Sequence, residues 1–318
     1  MSFSTAETLP PVAPLLSEGD RPIWSVMIPT FNCAKYLKQT LESVMAQDPG
    51  EAQMQIEVVD DCSTLDDPEA VVRQVGGGRV TFHRKTCNEG ATANFNTCIE
   101  RSRGYLVHIL HGDDYVLPGF YSRVAQEARE HPDISAFFVR CQIVEEDGTL
   151  ELLTKRLSFL ERPGRRAGEL FDHNDLATPG VVIRRSFYEK SGGFFPSLVH
   201  CADWEMWVRA TQTGGALFIN EPLAAYRFFS GNDTSRLRRT GETFRDNLRL
   251  GNIWRHQYAD FNRARFDRLV GVRALELSEL YRQKRDREAA AANREIWKEL
   301  TPLPRRMAKA MLALLRRT

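Results

Sequence analysis

The chain has 318 residues, of which 42% are hydrophobic and 27% are charged. This composition supplies enough apolar side chains for a large folded domain, which excludes a chain that is disordered throughout. No run approaches the roughly 18 consecutive apolar residues that a membrane-spanning helix requires. The formal net charge of +1 favours neither nucleic acid nor membrane as a partner.

The charges are unevenly distributed along the chain. Residues 235–318 contain 21 Lys and Arg and 10 Asp and Glu, whereas residues 1–234 contain 22 basic and 32 acidic residues. An acidic body followed by a basic segment indicates two parts with different roles. The sequence therefore predicts a disordered leader at 1–22, a folded body at 23–234 and a basic helical extension at 235–318.

The leader and the cysteines indicate the cellular compartment. The leader is rich in proline and lacks a basic start followed by an apolar stretch, so it does not resemble a secretion signal. The six cysteines are scattered, with no C-x-x-C pair and no zinc-finger spacing. These features predict reduced thiols in a cytoplasmic protein.

Short β-branched runs alternate with helical patterns from Trp24 onward. This alternation predicts βαβ units, and hence an α/β fold with a mainly parallel sheet flanked by helices. The predicted strands are 24–29, 56–59, 80–83, 105–110, 134–144, 181–183 and 216–219. Helices are predicted at 36–47, from 67–68 onward, at 91–101, 119–130 and 203–211, and throughout the segment beyond Gly241. A turn at 145–148 is expected to close a hairpin.

Two pairs of carboxylates directly follow two of the predicted parallel strands. Asp60 and Asp61 follow the strand at 56–59, and Asp113 and Asp114 come soon after the strand at 105–110. Ligands of open α/β sheets bind at the carboxyl ends of the strands, so both pairs are expected to face one crevice. Clustered carboxylates repel one another unless a cation lies among them, and their oxygens suit Mg²⁺ or Mn²⁺. The alternative is that each pair only caps the helix that follows.

Asp113 and Asp114 are adjacent, and adjacent strand residues point to opposite faces. The two can share one ion only if Gly112 allows the chain to turn there. We expect one of them to ligate the ion, and the other to hold a ribose hydroxyl or to orient the first.

Several segments carry a family resemblance when they are taken together in chain order. Those that follow predicted strands are Pro29-Thr-Phe-Asn32, Val59-Asp-Asp-Cys-Ser-Thr64, Asn88-Glu-Gly90 and Asp113-Asp114. Those further along are Gly180-Val-Val-Ile-Arg-Arg-Ser186 with Gly192-Gly-Phe194, and Ala202-Asp-Trp-Glu-Met-Trp-Val-Arg209. Over residues 23–230 the chain thus resembles the family 2 glycosyltransferases, which have the Rossmann-like GT-A fold.

This resemblance implies an activity and its partners. The expected enzyme is an inverting, metal-dependent glycosyltransferase of the hexosyltransferase type, with Mn²⁺ or Mg²⁺ as cofactor. It would move a sugar from a nucleotide-diphosphate donor, with UDP-sugars first among the candidates, to a saccharide or lipid-linked saccharide acceptor. The expected setting is bacterial surface-polysaccharide or glycolipid assembly. The alternative is a degenerate relative that binds nucleotide-sugar, or scaffolds an assembly complex, without turnover.

The resemblance also assigns site residues by position. Asp203 is the expected general base, although an Asp that opens a helix is ordinarily an N-cap. Asp114 and Asp113 are the expected metal ligands, and Arg227 and Trp204 fall on the diphosphate or acceptor side. The expected nucleotide-binding residues are Pro29, Thr30, Phe31, Asn32, Asp60, Asp61, Asn88, Gly90 and Asp113.

The chain departs from the family pattern at several positions, and two of them bear on the metal and the diphosphate. His111 stands where the common D-x-D-D run has its first acid, and Phe229 stands where many members have His in a Y-R-x-H-x-G segment. A metal or diphosphate contact from that second His would therefore be missing here.

Residues 303–318 combine apolar side chains at helical spacing with five basic residues. A basic amphipathic helix of this kind can lie on an anionic lipid surface, which would make the protein peripheral on the inner face of the cell membrane. The alternative is an apolar stripe that packs on its own protein. The segment has no aromatic stacking platform and no recognised nucleic-acid module, so nucleic acid is not an expected partner.

Overall fold

The computed structural model describes residues 8–15, 21–163 and 168–301. The chain divides into two compact units. The first unit runs to Leu170 and resumes over Asn174–Phe228, and the second contains Phe171–His173 and the chain from Phe229 onward. The predicted tail helix at 303–318 lies outside the described residues.

The described part of the first unit contains a nine-stranded sheet. Its strands are β1 (Trp24–Thr30), β2 (Met54–Asp60), β3 (Thr81–Arg84), β4 (Leu106–Ile109), β5 (Tyr115–Val116), β6 (Ala136–Val144), β7 (Leu150–Leu153), β8 (Val181–Arg184) and β9 (Ala216–Arg227). The spatial order is β3-β2-β1-β4-β8-β6-β9-β5, and β7 pairs with β6. Neighbouring strands are parallel in the series β3, β2, β1 and β4, and β6 is parallel to β9. Strand β8 is antiparallel to both β4 and β6. Strand β5 is antiparallel to β9, and β7 is antiparallel to β6. The predicted mainly parallel α/β sheet is confirmed.

Helices of the first unit flank this sheet. They are α1 (Ala34–Met45), α2 (Pro68–Gly76), α3 (Ala91–Arg101), α4 (Phe120–Glu130), α5 (Arg185–Ser191) and α6 (Ala202–Gly214). Helix α1 buries Leu37, Leu41 and Val44, which recur on one helical face. Helix α2 begins as predicted, because the Asp67 carboxylate caps it and Pro68 occupies the first turn, where its missing N–H costs nothing.

Two strands, β9 and β5, differ from the prediction. Strand β9 continues to Arg227, well past the predicted end at 219, because a shift of register beside Arg140 lets it pass Pro222 and stay paired with β6. The two-residue strand β5 is too short to show a period in the sequence, and it pairs antiparallel with β9. The extended strand carries Arg227 to the loop that holds Asp113 and Asp114.

The second unit is helical over its described residues, as predicted for the extension. Its helices are α7 (Asp233–Thr240), α8 (Glu242–Gln257), α9 (Arg263–Gln283) and α10 (Arg287–Leu300). Its core includes the rings of Trp254, Phe261 and Phe266, whose centroids lie 5.4–5.6 Å apart. Among the described helices of the protein, none is long and apolar enough to cross a membrane.

Residues 8–15 differ from the disordered leader that the sequence predicts. Val12 is buried, and the Pro10 carbonyl accepts a hydrogen bond of 2.9 Å from the backbone N–H of Gly193. One apolar side chain and a satisfied carbonyl thus attach this short segment to the first unit.

Candidate active site

The two acid pairs lie at one edge of the sheet. Strands β2 and β4 both pair in parallel with β1, so their carboxyl ends, and the end of β1, point the same way. Asp60 ends β2, and Asp113 and Asp114 lie just beyond β4. Open α/β sheets bind their ligands at the carboxyl ends of parallel strands, and the expectation that both acid pairs face one such crevice stays a prediction.

Asp60 connects three segments of this edge. Its fully buried carboxylate accepts hydrogen bonds from the backbone N–H and hydroxyl of Ser63, and it pairs with the Nε of Arg84 at 2.7 Å. The Ser63 hydroxyl oxygen in turn accepts a hydrogen bond of 2.8 Å from the backbone N–H of Asn32. These contacts give the carboxylate internal partners, and its predicted contact with a nucleotide base stays a prediction.

Asp61 holds the loop that contains the Asn88-Glu-Gly90 motif. Its carboxylate accepts hydrogen bonds from the backbone N–H groups of Glu89 and Gly90, at 3.1 and 2.8 Å, and pairs with the Nζ of Lys85 at 2.9 Å. Gly90 has φ +89°, a conformation that glycine adopts without strain. Asn88 is exposed in this loop. Asp61 thus fixes the backbone of the loop, and nucleotide binding by Asn88 and Gly90 stays a prediction.

The end of β1 presents an aromatic ring to solvent. Phe31 is 44% exposed, a large fraction for a residue next to a buried strand. Its ring presents an apolar face to solvent, and its predicted contact with a nucleotide base stays a prediction. Asn32 has φ +50°, which asparagine tolerates, and its Oδ1 accepts hydrogen bonds from the backbone N–H groups of Thr64 and Leu65. Thr30 is buried and its hydroxyl contacts Cys33 Sγ.

Gly112 allows the turn that the sequence requires there. The backbone N–H of Asp114 donates to the His111 carbonyl at 3.1 Å, which closes the turn. A Cβ on Gly112 would lie 2.8 Å from Cys33 Sγ and 3.1 Å from the Thr30 hydroxyl oxygen, closer than side chains pack. The predicted turn is confirmed, and it needs glycine because the loop passes directly over the end of β1.

Asp114 is the most buried acid of the loop, with a side chain that is 1% exposed. Its Oδ1 accepts a hydrogen bond of 2.9 Å from the backbone N–H of Arg227, but Oδ2 has no hydrogen-bond partner among the described residues. Burial, and then the nearby charge of Asp113, raise the pKa of Asp114 well above its usual range. A buried carboxylate oxygen without a donor is a position that suits a cation.

Three side chains of this loop are close enough to share one ion. His111, Asp113 and Asp114 each offer a ligand atom, and these atoms lie within 4.8 Å of one another. Atoms on opposite sides of an ion with bonds of about 2.1–2.4 Å lie about 4.2–4.8 Å apart. The residues present therefore fit a divalent metal.

Arg227 fixes this loop from the end of β9. Its side chain is almost fully buried, and its Nε donates to the Asp113 carbonyl at 2.9 Å. One Nη donates to the Glu146 carbonyl in the β6–β7 turn, and the other donates to Gln39 Oε1 in α1 at 2.6 Å. The guanidinium thus holds the loop at residues 111–114, and its predicted contact with a diphosphate stays a prediction.

Asp203 is the second residue of α6 and is half-buried. Cys201, not Asp203, occupies the N-cap position, and its side chain makes no capping hydrogen bond. One carboxylate oxygen accepts a hydrogen bond of 2.6 Å from the backbone N–H of Trp204, and the other lies 3.4 Å from the hydroxyl of Thr178. The Trp204 ring is buried and its Nε1 donates to the Leu170 carbonyl at 2.7 Å.

A buried ion pair on α6, the helix that carries Asp203, was not predicted from the sequence. Glu205 and Arg209 pair at 3.0 Å one turn apart on α6, and both are almost completely shielded from solvent. Arg209 also donates to the carbonyls of Ser191 and Gly193, which anchors α6 to the turn after α5. Burial raises the pKa of Glu205, because the Arg209 charge offsets only part of the desolvation. The sequence signal for this ion pair is the i,i+4 spacing of an acid and a base among the apolar residues of the helix.

The fold and the acidic loop define the class of protein. A mainly parallel sheet with carboxylates after β2 and β4 is the arrangement of the GT-A glycosyltransferases that the motifs resemble. A family model described as glycosyl transferase family 2 matches residues 25–192, which is more than half of the chain. The chain belongs to this family, and it is a glycosyltransferase.

Relatives by sequence are distant. An uncharacterized protein of Mycobacterium tuberculosis is 26% identical over 251 residues, which cover 72% of this chain and 75% of that protein. An uncharacterized glycosyltransferase of Haemophilus influenzae is 25% identical, with 64% of this chain and 68% of that protein covered. The chondroitin synthase of Escherichia coli is 23% identical, and the match covers 67% of this chain but 30% of that longer protein.

Solved structures share the fold. A TarS chain of Staphylococcus aureus (residues 1–349) superposes with a TM-score of 0.55 at 17% identity, and the match covers 88% of this chain and 92% of that chain. A longer TarS chain superposes with the same TM-score at 15% identity, and the match covers 86% of this chain and 55% of that chain. The mannosyltransferase PcManGT of Pyrobaculum calidifontis, solved with GDP-Man and Mn²⁺, has a TM-score of 0.53 at 18% identity, covering 99% of this chain and 85% of that chain. At these identities the likeness establishes the GT-A fold.

Proposed function

We propose that this enzyme is an inverting, metal-dependent transferase that moves one hexosyl group from a nucleotide-diphosphate donor to an acceptor hydroxyl. The observation that carries the proposal is the partly unsatisfied, buried carboxylate of Asp114 beside Asp113 and His111, at the carboxyl edge of the sheet. Mn²⁺ or Mg²⁺ held by Asp113 and Asp114 would neutralise charge on the diphosphate leaving group, a contribution of several kcal/mol in such sites.

Asp203 is the proposed general base. Its carboxylate takes the proton of the acceptor hydroxyl while that oxygen forms a bond to the anomeric carbon, and the bond from this carbon to the diphosphate oxygen breaks. Attack from the face opposite the leaving group inverts the configuration. The Glu205–Arg209 pair supports this step by fixing the first turn of α6 on which Asp203 lies.

Donor and acceptor are proposed by class. The exposed Phe31 ring suits a nucleotide base, and solved neighbours hold UDP, UDP-GlcNAc and GDP-Man, which supports a nucleotide-sugar with UDP-sugars first. The chondroitin synthase among the relatives supports a saccharide or lipid-linked saccharide acceptor in cell-surface polysaccharide or glycolipid assembly. We place the enzyme in the cytoplasm, where such donors are made, with peripheral membrane contact through the basic tail.

The test measures nucleotide release from UDP-, GDP- and dTDP-sugars with a panel of saccharide acceptors, with Mn²⁺ and after chelation. We expect turnover with one donor, loss of turnover on chelation, and a fall in kcat of about 100- to 10,000-fold in Asp203→Asn. Asp133→Asn, in an exposed turn after α4, is the matched control and should keep full activity.

Three outcomes contradict different parts of the proposal. Turnover that is unaffected by Asp203→Asn removes the base assignment. Full activity after complete metal removal removes the metal requirement. Saturable donor binding with no turnover for any acceptor supports the nucleotide-sugar-binding or scaffold role instead.

A further inference from the structure

We infer that His111 is a nitrogen ligand of the ion held by Asp113 and Asp114, so that this chain binds its metal with a mixed imidazole and carboxylate set. The inference deepens the proposed function and rests on its metal requirement. It concerns the position at which the common family run has an acid, and where this chain has none.

The geometry of the turn brings the imidazole to the carboxylates. The hydrogen bond from the Asp114 N–H to the His111 carbonyl brings residues 111 and 114 close to each other across the turn. His111 Nδ1 lies 3.8 Å from Asp114 Oδ2, which is too long for a hydrogen bond and is a distance at which one ion can contact both atoms. This Oδ2 is the buried oxygen that has no hydrogen-bond donor among the described residues.

The ring of His111 is also held in one orientation. It stacks on Phe95 with centroids 5.1 Å apart and an angle of 11° between the rings, and Phe95 packs edge-on against Phe194. The stack restrains the ring in the orientation that brings Nδ1 within 3.8 Å of Asp114 Oδ2. The His111 side chain is 26% exposed, so an ion can reach it from solvent.

This ligand set changes which ions are favoured. A histidine in place of an acid removes one negative charge from the site, which weakens attraction for Mg²⁺. Imidazole nitrogen favours first-row transition ions over Mg²⁺, so the site should prefer Mn²⁺, Co²⁺ or Zn²⁺ to Mg²⁺. An acid at the same position would restore an all-oxygen set and move the preference back toward Mg²⁺.

The test uses Mn²⁺ alone as the probe and reads the ligand atoms directly. The full chain is prepared with natural histidine and with histidine labelled with ¹⁵N in the ring, and bound Mn²⁺ is examined by electron spin echo spectroscopy. We expect a nitrogen coupling that changes with the label. His111→Phe should abolish this coupling while keeping the stack on Phe95. Since loss of a group that only supports a ligand costs about 10- to 100-fold in metal affinity, loss of the ligand should weaken Mn²⁺ binding by about tenfold or more.

His131 provides the matched control. With Glu127 and Glu130 it forms the other cluster of potential ligands among the described residues, on and just after helix α4. His131→Asn should keep both the nitrogen coupling and the affinity. His111→Asp should bind Mn²⁺ and Mg²⁺ with a smaller difference in affinity than the wild type.

Each remaining outcome overturns a specific statement. Tight Mn²⁺ binding without a histidine coupling, or a coupling that persists in His111→Phe, overturns the role of His111 and leaves metal dependence standing. A coupling lost in His131→Asn assigns the signal to the α4 cluster and also overturns it. Absence of any saturable Mn²⁺ binding overturns the metal requirement itself, and the inference with it.

Discussion

The charged residues of the crevice are held by partners inside the protein. Asp60 is fixed by Ser63 and Arg84, and Asp61 by the loop that contains Gly90. A site whose groups are already oriented does not have to reorganise when charge develops during the reaction. At the scale of single residues, the carboxylates of Asp60 and Asp61 therefore form hydrogen bonds and ion pairs that fix the backbone around the proposed site.

Arg227 provides a direct test of such support. In Arg227→Lys the ammonium cannot reproduce the guanidinium bonds to the Asp113 carbonyl, the Glu146 carbonyl and Gln39, although the backbone bond to Asp114 remains. We expect Mn²⁺ affinity to fall by about 10- to 100-fold, and the free energy of unfolding to fall by about 1–3 kcal/mol. Metal titration and urea unfolding measure the two effects.

A surface arginine is the control for that substitution. Arg156 pairs with Glu161 in solvent, so Arg156→Lys should change stability by less than about 0.5 kcal/mol and leave metal affinity unchanged. If Arg227→Lys lowers the free energy of unfolding but keeps full Mn²⁺ affinity, Arg227 supports the fold and does not position the loop at residues 111–114 for metal binding.

The sequence predicted where the acids lie but not what holds them. The position of Asp60 or Asp114 after a strand follows from hydrophobic periodicity, which is a local signal. The partner of Asp60 is Arg84, on the adjacent strand, and the partner of Asp114 is Arg227, at the end of the distant β9. Such pairs depend on the order of the strands in the sheet and on a register shift. Neither can be predicted from the hydrophobic periodicity of a short segment.

At the scale of elements, β4 shows how a central strand accommodates a polar residue. His108 lies in this buried strand and is itself fully buried. Its Nε2 donates to the Pro179 carbonyl at 3.0 Å, and its Nδ1 faces the Tyr121 hydroxyl at 3.3 Å. A neutral imidazole that donates at one nitrogen and accepts at the other satisfies both contacts. The strand was predicted correctly because one satisfied histidine does not disturb an otherwise apolar run.

Burial of His108 predicts a pH-dependent stability. It lowers the pKa of His108 to about 3, whereas an unfolded histidine titrates near 6.5. Below about pH 6.5 the unfolded state binds more protons than the folded state, so the free energy of unfolding decreases as the pH falls toward 3. Between pH 6.5 and 5 the loss should be about 1.5 kcal/mol from this residue.

Urea unfolding of the wild type, His108→Asn and His83→Asn at several pH values isolates this contribution. His108→Asn should be less stable at pH 7 but should lose less stability on acidification than the wild type. His83 is only partly buried on β3, so His83→Asn should keep the full dependence. Equal pH dependence in the wild type and His108→Asn would show that the buried imidazole is not the group that titrates.

At the scale of the whole molecule, the small net charge conceals two opposite excesses. The acidic excess of residues 1–234 has a local cause in part, because Asp60, Asp61, Asp113, Asp114 and Asp203 belong to one proposed site. Ion pairs within the second unit, such as Arg265 with Asp172 and Arg239 with Asp286, use only some of the basic groups there. Five further basic residues lie in the sequence at 303–318, among apolar residues at helical spacing.

The tail sequence predicts binding to anionic membranes. Each Lys or Arg near an anionic surface contributes about 1 kcal/mol, so five of them should strengthen binding by roughly three to four orders of magnitude. The full chain should sediment with phosphatidylglycerol vesicles at low salt and remain in solution with phosphatidylcholine vesicles. A chain without residues 303–318 should remain in solution with both.

A second variant separates charge from apolar contact. Replacing Arg305, Arg306, Lys309, Arg316 and Arg317 by Gln keeps the apolar positions of the tail, and should abolish sedimentation with anionic vesicles if charge drives binding. High salt should have the same effect on the full chain, because it screens charges at a surface. Equal sedimentation of the full and truncated chains would mean that the basic excess of residues 303–318 serves a contact within the protein or with another protein, and not with lipid.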